Sequence, residues 1–197
     1  MSSKALIIVD VQNDFLKDGA LAVPEGEAVI NPILQLAKYF DFIIASRDFH
    51  PANHCSFTIN GGIWPVHCVS GTYGAKINSE IDSMSHIIIS KGYLASKDAY
   101  SAFDGTMLDD ILKMRGVKEV YIVGLATDYC IKETAKDAKK LGYTTFVVRD
   151  CVKAVNVNVG DGDLALNEMQ QMGIEIKSLD FVIKEVSELS NPFRTIN

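Results

Sequence analysis

The sequence lacks any long hydrophobic run. No apolar stretch among its 197 residues reaches about 18 residues, the length that a membrane-spanning helix requires. The first ten residues, MSSKALIIVD, hold only a short apolar run that ends in an acid, with no small-residue cleavage site after it. This pattern is not that of a signal peptide. We therefore expect no membrane partner and a cytoplasmic protein.

Basic residues are fewer than acidic residues. The chain has 19 Lys and Arg against 25 Asp and Glu, a net charge of −6, and the basic residues form no stripe. This distribution argues against nucleic acid as a partner. The four cysteines, Cys55, Cys68, Cys130 and Cys151, fit no zinc-finger spacing. They are typical of free thiols in a cytosolic protein.

Internal repeats and linkers are absent, so the length predicts a single domain over residues 1–197. What the chain does contain is a series of short apolar runs rich in Ile and Val, mostly without alternation. Such runs are typical of strands buried on both faces. The runs are Ala5–Val9, Phe42–Ala45, His86–Ile89, Val120–Val123, Thr145–Val148 and Ile174–Ile176.

Longer amphipathic stretches lie between these runs, with apolar residues at helical spacing. They predict helices over Glu27–Tyr39, Met107–Met114, Thr127–Leu141 and Gly162–Met172. Glycines 116, 142 and 173 stand where C-terminal caps are expected. Strands that alternate with helices predict an α/β fold, a three-layer domain whose parallel sheet carries helices on both faces.

Reactive side chains follow four successive predicted strands. Asp10 follows the first strand, Asp48 and His50 the second, Lys91 the third and Cys130 the fourth. In open parallel sheets the ligand binds beyond the carboxyl ends of the strands, where the strand order reverses. We therefore expect these residues to meet on one rim.

Cys130 is the candidate nucleophile. Thr127 or Asp128 is a good helix cap, which would place Cys130 in the first turn, where the helix dipole favours a thiolate. The alternative is a small buried hydrophobe, the usual environment of a free cysteine. The acid and the lysine that we expect on the same rim favour the interpretation of Cys130 as the nucleophile.

The acid and the lysine have plainer interpretations as well. Asp10 could cap a turn, and Asp14, four residues later, could compete with it for an acid–base role. Lys91 by itself would be a solvated surface residue. Only its position at a strand end favours a role in catalysis.

The segment from Asp48 to Cys68 carries the strongest metal signal, because it holds three of the four histidines. Imidazole and carboxylate ligands suit zinc, iron or manganese. Asp48 and His50 would lie on one side of an extended segment, and the distant His67 could complete the set. His54 is a further candidate. The alternative is a loop whose histidines have satisfied hydrogen bonds.

Three aromatic residues are candidates for contact with a ligand. Trp64, the only tryptophan, lies near the predicted rim and could cover an aromatic ligand. Phe15 and Tyr100 are similar cases. Packing within loops is the equally plausible alternative for each.

Long ordered motifs connect these residues, and with them the chain resembles the nicotinamidase/pyrazinamidase branch of the isochorismatase-like cysteine hydrolases over nearly its whole length. The motifs are ALIIVDVQNDF, SRDFHPANHCSF, WPVHCVSGTYGA, SKGYLASKDAYSAFDGT and VGLATDYCIKETAKDAKKLGY. The resemblance implies a six-stranded parallel sheet and a catalytic triad of Asp10, Lys91 and Cys130. It also implies a cis peptide bond between Leu125 and Ala126.

The resemblance further implies one divalent ion on Asp48, His50 and His67, with zinc as the first choice and iron or manganese as alternatives. Some family members carry a glutamate ligand near the position of Asn60, and this chain has no acid there. His54 is a ligand only in some members. The fourth protein ligand is therefore left open.

The implied reaction is hydrolysis of nicotinamide to nicotinic acid and ammonia in NAD salvage, with pyrazinamide as a further substrate. We expect a thioester on Cys130, with the backbone N–H groups of Ala126 and Cys130 as the oxyanion hole. A homo-oligomer is compatible with the sequence, and the tail from Ser187 to Asn197 is expected to be frayed or to face a partner.

The sequence is also compatible with three rival functions. An isochorismatase cleaves a vinyl ether and typically lacks the metal set. Other amidohydrolases of the superfamily act on carbamoyl compounds. A non-catalytic thiol sensor on the same fold would need Cys130 but not the Asp10–Lys91 pair.

Overall fold

The computed structural model describes residues 3–189 and contains one six-stranded sheet. Its strands are β1 (Lys4–Val9), β2 (Ile43–Asp48), β3 (Ile87–Lys91), β4 (Glu119–Leu125), β5 (Thr144–Lys153) and β6 (Glu175–Lys177). All neighbours are parallel, in the order β3-β2-β1-β4-β5-β6. The predicted α/β class and the positions of the six strands are confirmed. The expected domain of residues 1–197 extends beyond the described residues and stays a prediction.

Within residues 3–189, six α-helices connect or follow the strands. They are α1 (Ile30–Ala37), α2 (Ser79–Met84), α3 (Leu108–Met114), α4 (Lys132–Lys140), α5 (Asp161–Gln171) and α6 (Leu179–Leu189). The predicted helices correspond to α1, α3, α4 and α5, whereas α2 and α6 were not predicted. Glycines 116, 142 and 173 follow α3, α4 and α5 with φ of +69°, +93° and +76°, as expected of C-terminal caps.

Two apolar clusters cover the two faces of the sheet. In β1, Leu6 and Ile8 belong to one cluster, whereas Ala5, Ile7 and Val9 belong to the other, and all five are fully buried. Helices α1, α2 and α6 pack on the first face and helices α3, α4 and α5 on the second. Burial on both faces explains why the strand sequences do not alternate, and it confirms the three layers.

The strand order reverses at β1, the third strand of the sheet. The chain first adds β2 and β3 on one side of β1, then returns to place β4 on the other side. The carboxyl ends of β1 and β4 therefore border a crevice of the kind in which ligands bind.

Within residues 3–189 no helix is long and apolar enough to cross a bilayer. Helix α6 continues through Leu189, so the expected frayed tail is helical where it begins at Ser187. Residues 190–197 of that prediction lie outside the described residues.

Candidate active site

Lys91 is the centre of a buried polar cluster at the carboxyl ends of the strands. Its Nζ lies 2.9 Å from Asp10 Oδ2, 2.5 Å from Asp48 Oδ1 and 3.5 Å from Cys130 Sγ. It also donates a hydrogen bond to the carbonyl of Ala99 at 3.1 Å. The structure thus brings Asp10, Lys91 and Cys130 together, as the strand-end pattern predicts.

Asp10 directly follows β1 and adopts a left-handed backbone conformation with φ of +51°. Its Oδ1 accepts a hydrogen bond from Ser46 Oγ at 2.7 Å, and its side chain is fully buried. Burial raises the pKa of Asp10, and the opposing Lys91 ammonium does not cancel that effect. A carboxyl group with a raised pKa is suited to accept and return a proton near neutral pH.

The Cys130 thiol faces Asp10 from the turn after β4. Burial raises the pKa of Cys130 well above its usual value; the Lys91 ammonium opposes this shift and the Asp10 carboxylate adds to it. The sequence-based expectation of a thiolate is therefore wrong for this arrangement. The helix start and the ammonium favour the anion, but burial beside two carboxylates outweighs them.

The turn that carries Cys130 differs from the predicted helix start. Residues Thr127–Ile131 form a π-helical turn, and its N-cap is Ala126, which makes no side-chain capping bond. The predicted cap is thus wrong. Asp128 instead accepts hydrogen bonds from the amides of Val155 at 3.0 Å and Asn156 at 2.8 Å. The carboxylate of Asp128 therefore ties this turn to the loop after β5.

The peptide bond between Leu125 and Ala126 is cis, as the resemblance implies. Ala126 and Cys130 both line the same pocket. The participation of their N–H groups in an oxyanion hole stays a prediction.

Asp14, the alternative acid, has a different function in the fold. Its Oδ2 accepts a hydrogen bond from the Cys68 amide at 2.7 Å, and its Oδ1 accepts one from the Ala20 amide at 3.3 Å. These contacts hold two loops together. Of the two candidate acids, Asp10 is the one that contacts Lys91.

Asp48, His50 and His67 form a buried donor set, with one ligand atom from each residue lying within 4.8 Å of the others. His50 Nδ1 is 2.7 Å from the carbonyl of Gly92, and His67 Nδ1 is 2.8 Å from the carbonyl of Pro65. Because a carbonyl can only accept, Nδ1 of each ring carries a proton, and in the neutral form of each ring the lone pair of Nε2 is then available to a metal ion. This donor set fits a divalent ion such as zinc, iron or manganese.

His54 lies beside this set without joining it. Its Nδ1 is 2.7 Å from Ser56 Oγ, and its Nε2 is 3.1 Å from the carbonyl of Lys97. The His54 ring stacks on His50 with 4.0 Å between the ring centroids. Both of its nitrogens are engaged, so His54 supports the ring of His50 in this arrangement. Asn60 hydrogen-bonds the carbonyl of His54 at 3.0 Å.

A second set of donors, Asp10, Asp48 and Cys130, also has metal-like spacing. However, the Lys91 ammonium lies within 3.5 Å of an atom from each of the three. The Lys91 ammonium thus occupies the position at which a metal ion would bind, so we assign no metal ion to this second set.

One pocket is lined by both the Cys130 thiol and the metal donors. The three predicted aromatic residues, Phe15, Trp64 and Tyr100, all line it. Trp64 Nε1 donates to the Tyr100 hydroxyl at 3.0 Å, which fixes both rings. Their contact with a substrate stays a prediction.

Comparison with known proteins identifies the family of this chain. A family model described as the isochorismatase domain matches residues 4–180. The chain belongs to the isochorismatase family. A nicotinamidase of Acinetobacter baylyi is 40% identical and aligns over 87% of this chain and 90% of its own. The resemblance drawn from the sequence motifs is confirmed.

Solved structures agree with this family assignment. The pyrazinamidase of Pyrococcus horikoshii in complex with zinc has a TM-score of 0.85 and 44% identity, over 90% of this chain and 99% of that one. A protein of L. infantum in complex with nicotinate has a TM-score of 0.84 and 34% identity, over 90% of this chain and 94% of that one.

Several pocket residues of this isochorismatase-family chain were not predicted from the sequence. Tyr129 lies with its ring 4.9 Å from that of Trp64 and 5.7 Å from that of Tyr100. Its position next to Cys130 in the sequence could have identified it as a pocket residue. The sequence analysis also did not assign the following wall residues to the pocket: Leu21, Val23, Ser56, Asp98, Leu125 and Val155.

Proposed function

We propose that this protein is a nicotinamidase that hydrolyses nicotinamide to nicotinic acid and ammonia and also accepts pyrazinamide. The observation that carries the proposal is that Cys130 lines the same pocket as the metal donor set, while the buried Lys91 contacts both its thiol and Asp10. The nicotinamidase and pyrazinamidase relatives support it. The aromatic side chains that line the pocket suit a small aromatic amide.

The first half of the reaction forms a thioester. Cys130 Sγ attacks the carboxamide carbon while Asp10 takes the thiol proton, and the carbonyl π electrons move to oxygen. The N–H groups of Ala126 and Cys130 donate to the resulting oxyanion. Because the resting thiol is neutral, the proton moves to Asp10 as the S–C bond forms. Asp10 then gives this proton to the nitrogen, the C–N bond breaks and ammonia departs.

The second half of the reaction releases the acid. Water attacks the thioester carbon while Asp10 takes one of its protons, and the S–C bond then breaks with the electron pair going to sulfur. Asp10 returns the proton to Cys130. Lys91 stays an ammonium throughout, and its contacts hold the Asp10 carboxylate beside the thiol.

We assign one divalent ion to Asp48, His50 and His67, with zinc as the first choice and iron or manganese as alternatives. When bound, the ion supplies a positive centre that accepts the lone pair of a ring nitrogen and so orients the substrate. Asp48 Oδ2 lies on the side of His50, 3.7 Å from its Nε2, whereas Oδ1 faces Lys91. One carboxylate thus serves both halves of the site.

The proposal extends to the setting of the reaction. It places the enzyme in NAD salvage, in the cytoplasm, as one hydrolase domain over residues 1–197. All four cysteines are free thiols, as is usual in the reducing cytosol, and this supports the cytoplasmic setting. Assembly into a homo-oligomer stays a prediction.

The test is release of ammonia from nicotinamide and pyrazinamide, with isochorismate as the competing substrate. We expect ammonia from the wild type and a loss of at least about 10³-fold in Cys130→Ser, with unchanged circular dichroism. Cys55→Ser, which alters a half-buried thiol that does not line the pocket, is the matched control. Turnover of isochorismate alone, or undiminished turnover in Cys130→Ser, would overturn the proposal.

A further inference from the structure

The segment that follows β1 directs alternate side chains to different parts of the site. Asp10 contacts Lys91, and Asp14 accepts the amide of Cys68, next to His67. Gln12 lies between them and is fully buried, although its side chain is polar. The proposed reaction does not use Gln12.

The Gln12 amide binds both backbone groups of one residue. Its Oε1 accepts from the Asp48 amide at 2.7 Å, and its Nε2 donates to the Asp48 carbonyl at 2.8 Å. The same Nε2 donates to the carbonyl of Ala75 at 3.0 Å. A primary amide that exchanges two hydrogen bonds with one residue reproduces the pairing of a neighbouring strand.

This pairing continues the sheet beyond the end of β1. The last backbone bond from this side is from the Asp10 amide to the Ser46 carbonyl at 3.1 Å. Asp48 is two residues further along β2, where the main chain of β1 no longer follows. Gln12 therefore supplies from a side chain the partner that the departing strand does not provide.

The position of the Asp48 backbone decides where its two carboxylate oxygens point. One oxygen faces the Lys91 ammonium and the other faces His50. A small rotation of the Asp48 backbone would move both contacts. Outer groups that orient metal ligands in this way typically change metal affinity about 10- to 100-fold when mutated.

We propose that Gln12 is a positioning residue that fixes Asp48 as a metal ligand. The proposal rests on the metal site of the proposed function and assigns Gln12 no contact with substrate. It predicts that Gln12 governs metal affinity more than it governs turnover of the metal-loaded enzyme.

The test is a zinc titration of the metal-free protein against a chromophoric chelator. Gln12→Glu keeps the size and the Oε1 acceptor, but it places an oxygen against the carbonyls of Asp48 and Ala75. Gln12→Met keeps the length and removes all three hydrogen bonds. We expect the zinc dissociation constant to rise about 10- to 100-fold in both variants. Turnover at saturating zinc should fall much less.

A purely structural role is separated by a control and by thermal unfolding. Thr145→Val removes a buried hydrogen bond, from Thr145 Oγ1 to the carbonyl of Tyr143, in β5 and away from the pocket. It should lower the Tm of the metal-free protein and leave zinc affinity unchanged. In the Gln12 variants the increase in Tm on addition of a fixed zinc concentration should also shrink, because that increase follows affinity.

Wild-type zinc affinity in either folded Gln12 variant would overturn the inference, even if its Tm is lower. Failure of the wild type to bind zinc, iron or manganese would remove the metal site and this inference together. Zinc binding by the wild type without hydrolysis of nicotinamide would overturn the proposed function alone, and the positioning of Asp48 would then be judged by the titrations.

Discussion

The Nζ of Lys91 lies 2.5 Å from Oδ1 of Asp48, at the matched ends of β3 and β2. The same nitrogen contacts Asp10, so one ammonium connects the proposed base to the metal donor set. The two carboxylates hold the pKa of Lys91 well above its usual range, and Lys91 together with His50 lowers that of Asp48 despite its burial. The Lys91–Asp48 pair is therefore charged at neutral pH.

Replacement of this ammonium should be costly for the fold as well as for the reaction. In Lys91→Met, Asp10 and Asp48 become buried carboxylates without a cation, and we expect the free energy of unfolding at pH 7 to fall by about 3–5 kcal/mol. Ammonia release should be lost. Without the cation the folded-state pKa of Asp48 rises above the unfolded value and that of Asp10 rises further, so the deficit should shrink as the pH falls towards 4.

Urea unfolding at pH 7 and pH 4 measures this effect. The control is Lys113→Met, which removes the exposed pair with Asp109 and should cost less than about 1 kcal/mol. Equal losses in the two variants, or a Lys91→Met deficit that grows at low pH, would contradict the prediction.

Asp10→Asn tests the proton transfer separately from the shape of the site. Asparagine can still accept from Ser46, but it cannot take the thiol proton and return it. We expect kcat to fall about 10²- to 10⁴-fold, while calorimetric binding of nicotinate changes little. Retained turnover in Asp10→Asn together with lost turnover in Asp14→Asn would assign the proton transfer to Asp14.

The reactivity of the thiols should follow burial. Cys130 is 6% exposed and its pKa is raised, whereas Cys55 is half-buried. In the metal-free protein at pH 7, iodoacetamide should therefore label Cys55 before Cys130. This reverses the order expected from the helix start alone. A raised pKa also predicts that labelling of Cys130 still accelerates above pH 9, and peptide mass spectrometry from pH 7 to 10 measures both rates.

Fast labelling of Cys130 that levels off below pH 8 would contradict this account. It would mean that the ammonium of Lys91 prevails over burial. Cys151, which is fully buried and whose pKa burial raises to about 12, serves as the slow internal reference.

Mutation should distinguish the histidines that bind the metal from His54, which supports the ring of His50. His50→Ala and His67→Ala each remove an available Nε2, so elemental analysis should find no stoichiometric metal in either variant. Added metal should restore activity to chelated wild type but not to these variants. His54→Ala removes only the stacked neighbour of His50, so the ion should be retained with weaker affinity. Complete loss of metal in His54→Ala would make His54 a ligand.

The hydrogen bond between Trp64 and Tyr100 should affect substrate binding more than chemistry. Tyr100→Phe removes the acceptor of the indole N–H and leaves the ring in place. A hydrogen bond of about 1 kcal/mol corresponds to a rise of about fivefold in KM with kcat nearly unchanged. Tyr73→Phe, at a tyrosine that is 75% exposed, is the control. A fall in kcat without a change in KM would disprove this assignment.

The strands could be predicted from the sequence because burial on both faces leaves uninterrupted apolar runs such as Ala5–Val9. Helix α2 could not, since it has only six residues and buries only Ile81 among them. Helix α6 is different. Its apolar residues Leu179, Val182, Ile183 and Val186 have helical spacing, so the signal was present in the sequence and was missed.

The site was predictable where sheet topology alone decides the geometry. Strand ends on one edge must converge, which is why Asp10, Lys91 and Cys130 could be placed together before the structure was known. The pocket residues Leu21 and Val155 lie on loops whose paths depend on tertiary contacts. The direction in which the pKa of Cys130 shifts also could not be predicted from the sequence, because it depends on burial of the thiol beside Asp10 and Asp48.

The reversal of strand order at β1 also determines when the site comes into existence. The first half of the sequence builds one side of the sheet, β3-β2-β1, and carries Asp10 and Lys91, whereas the second half builds β4-β5-β6 and carries Cys130. The seam between β1 and β4 is thus the junction of two halves of the polypeptide. Translation makes Asp10 and Lys91 before Cys130, and the three residues can meet only when β4 pairs with β1. Neither half of the chain contains a complete reactive centre.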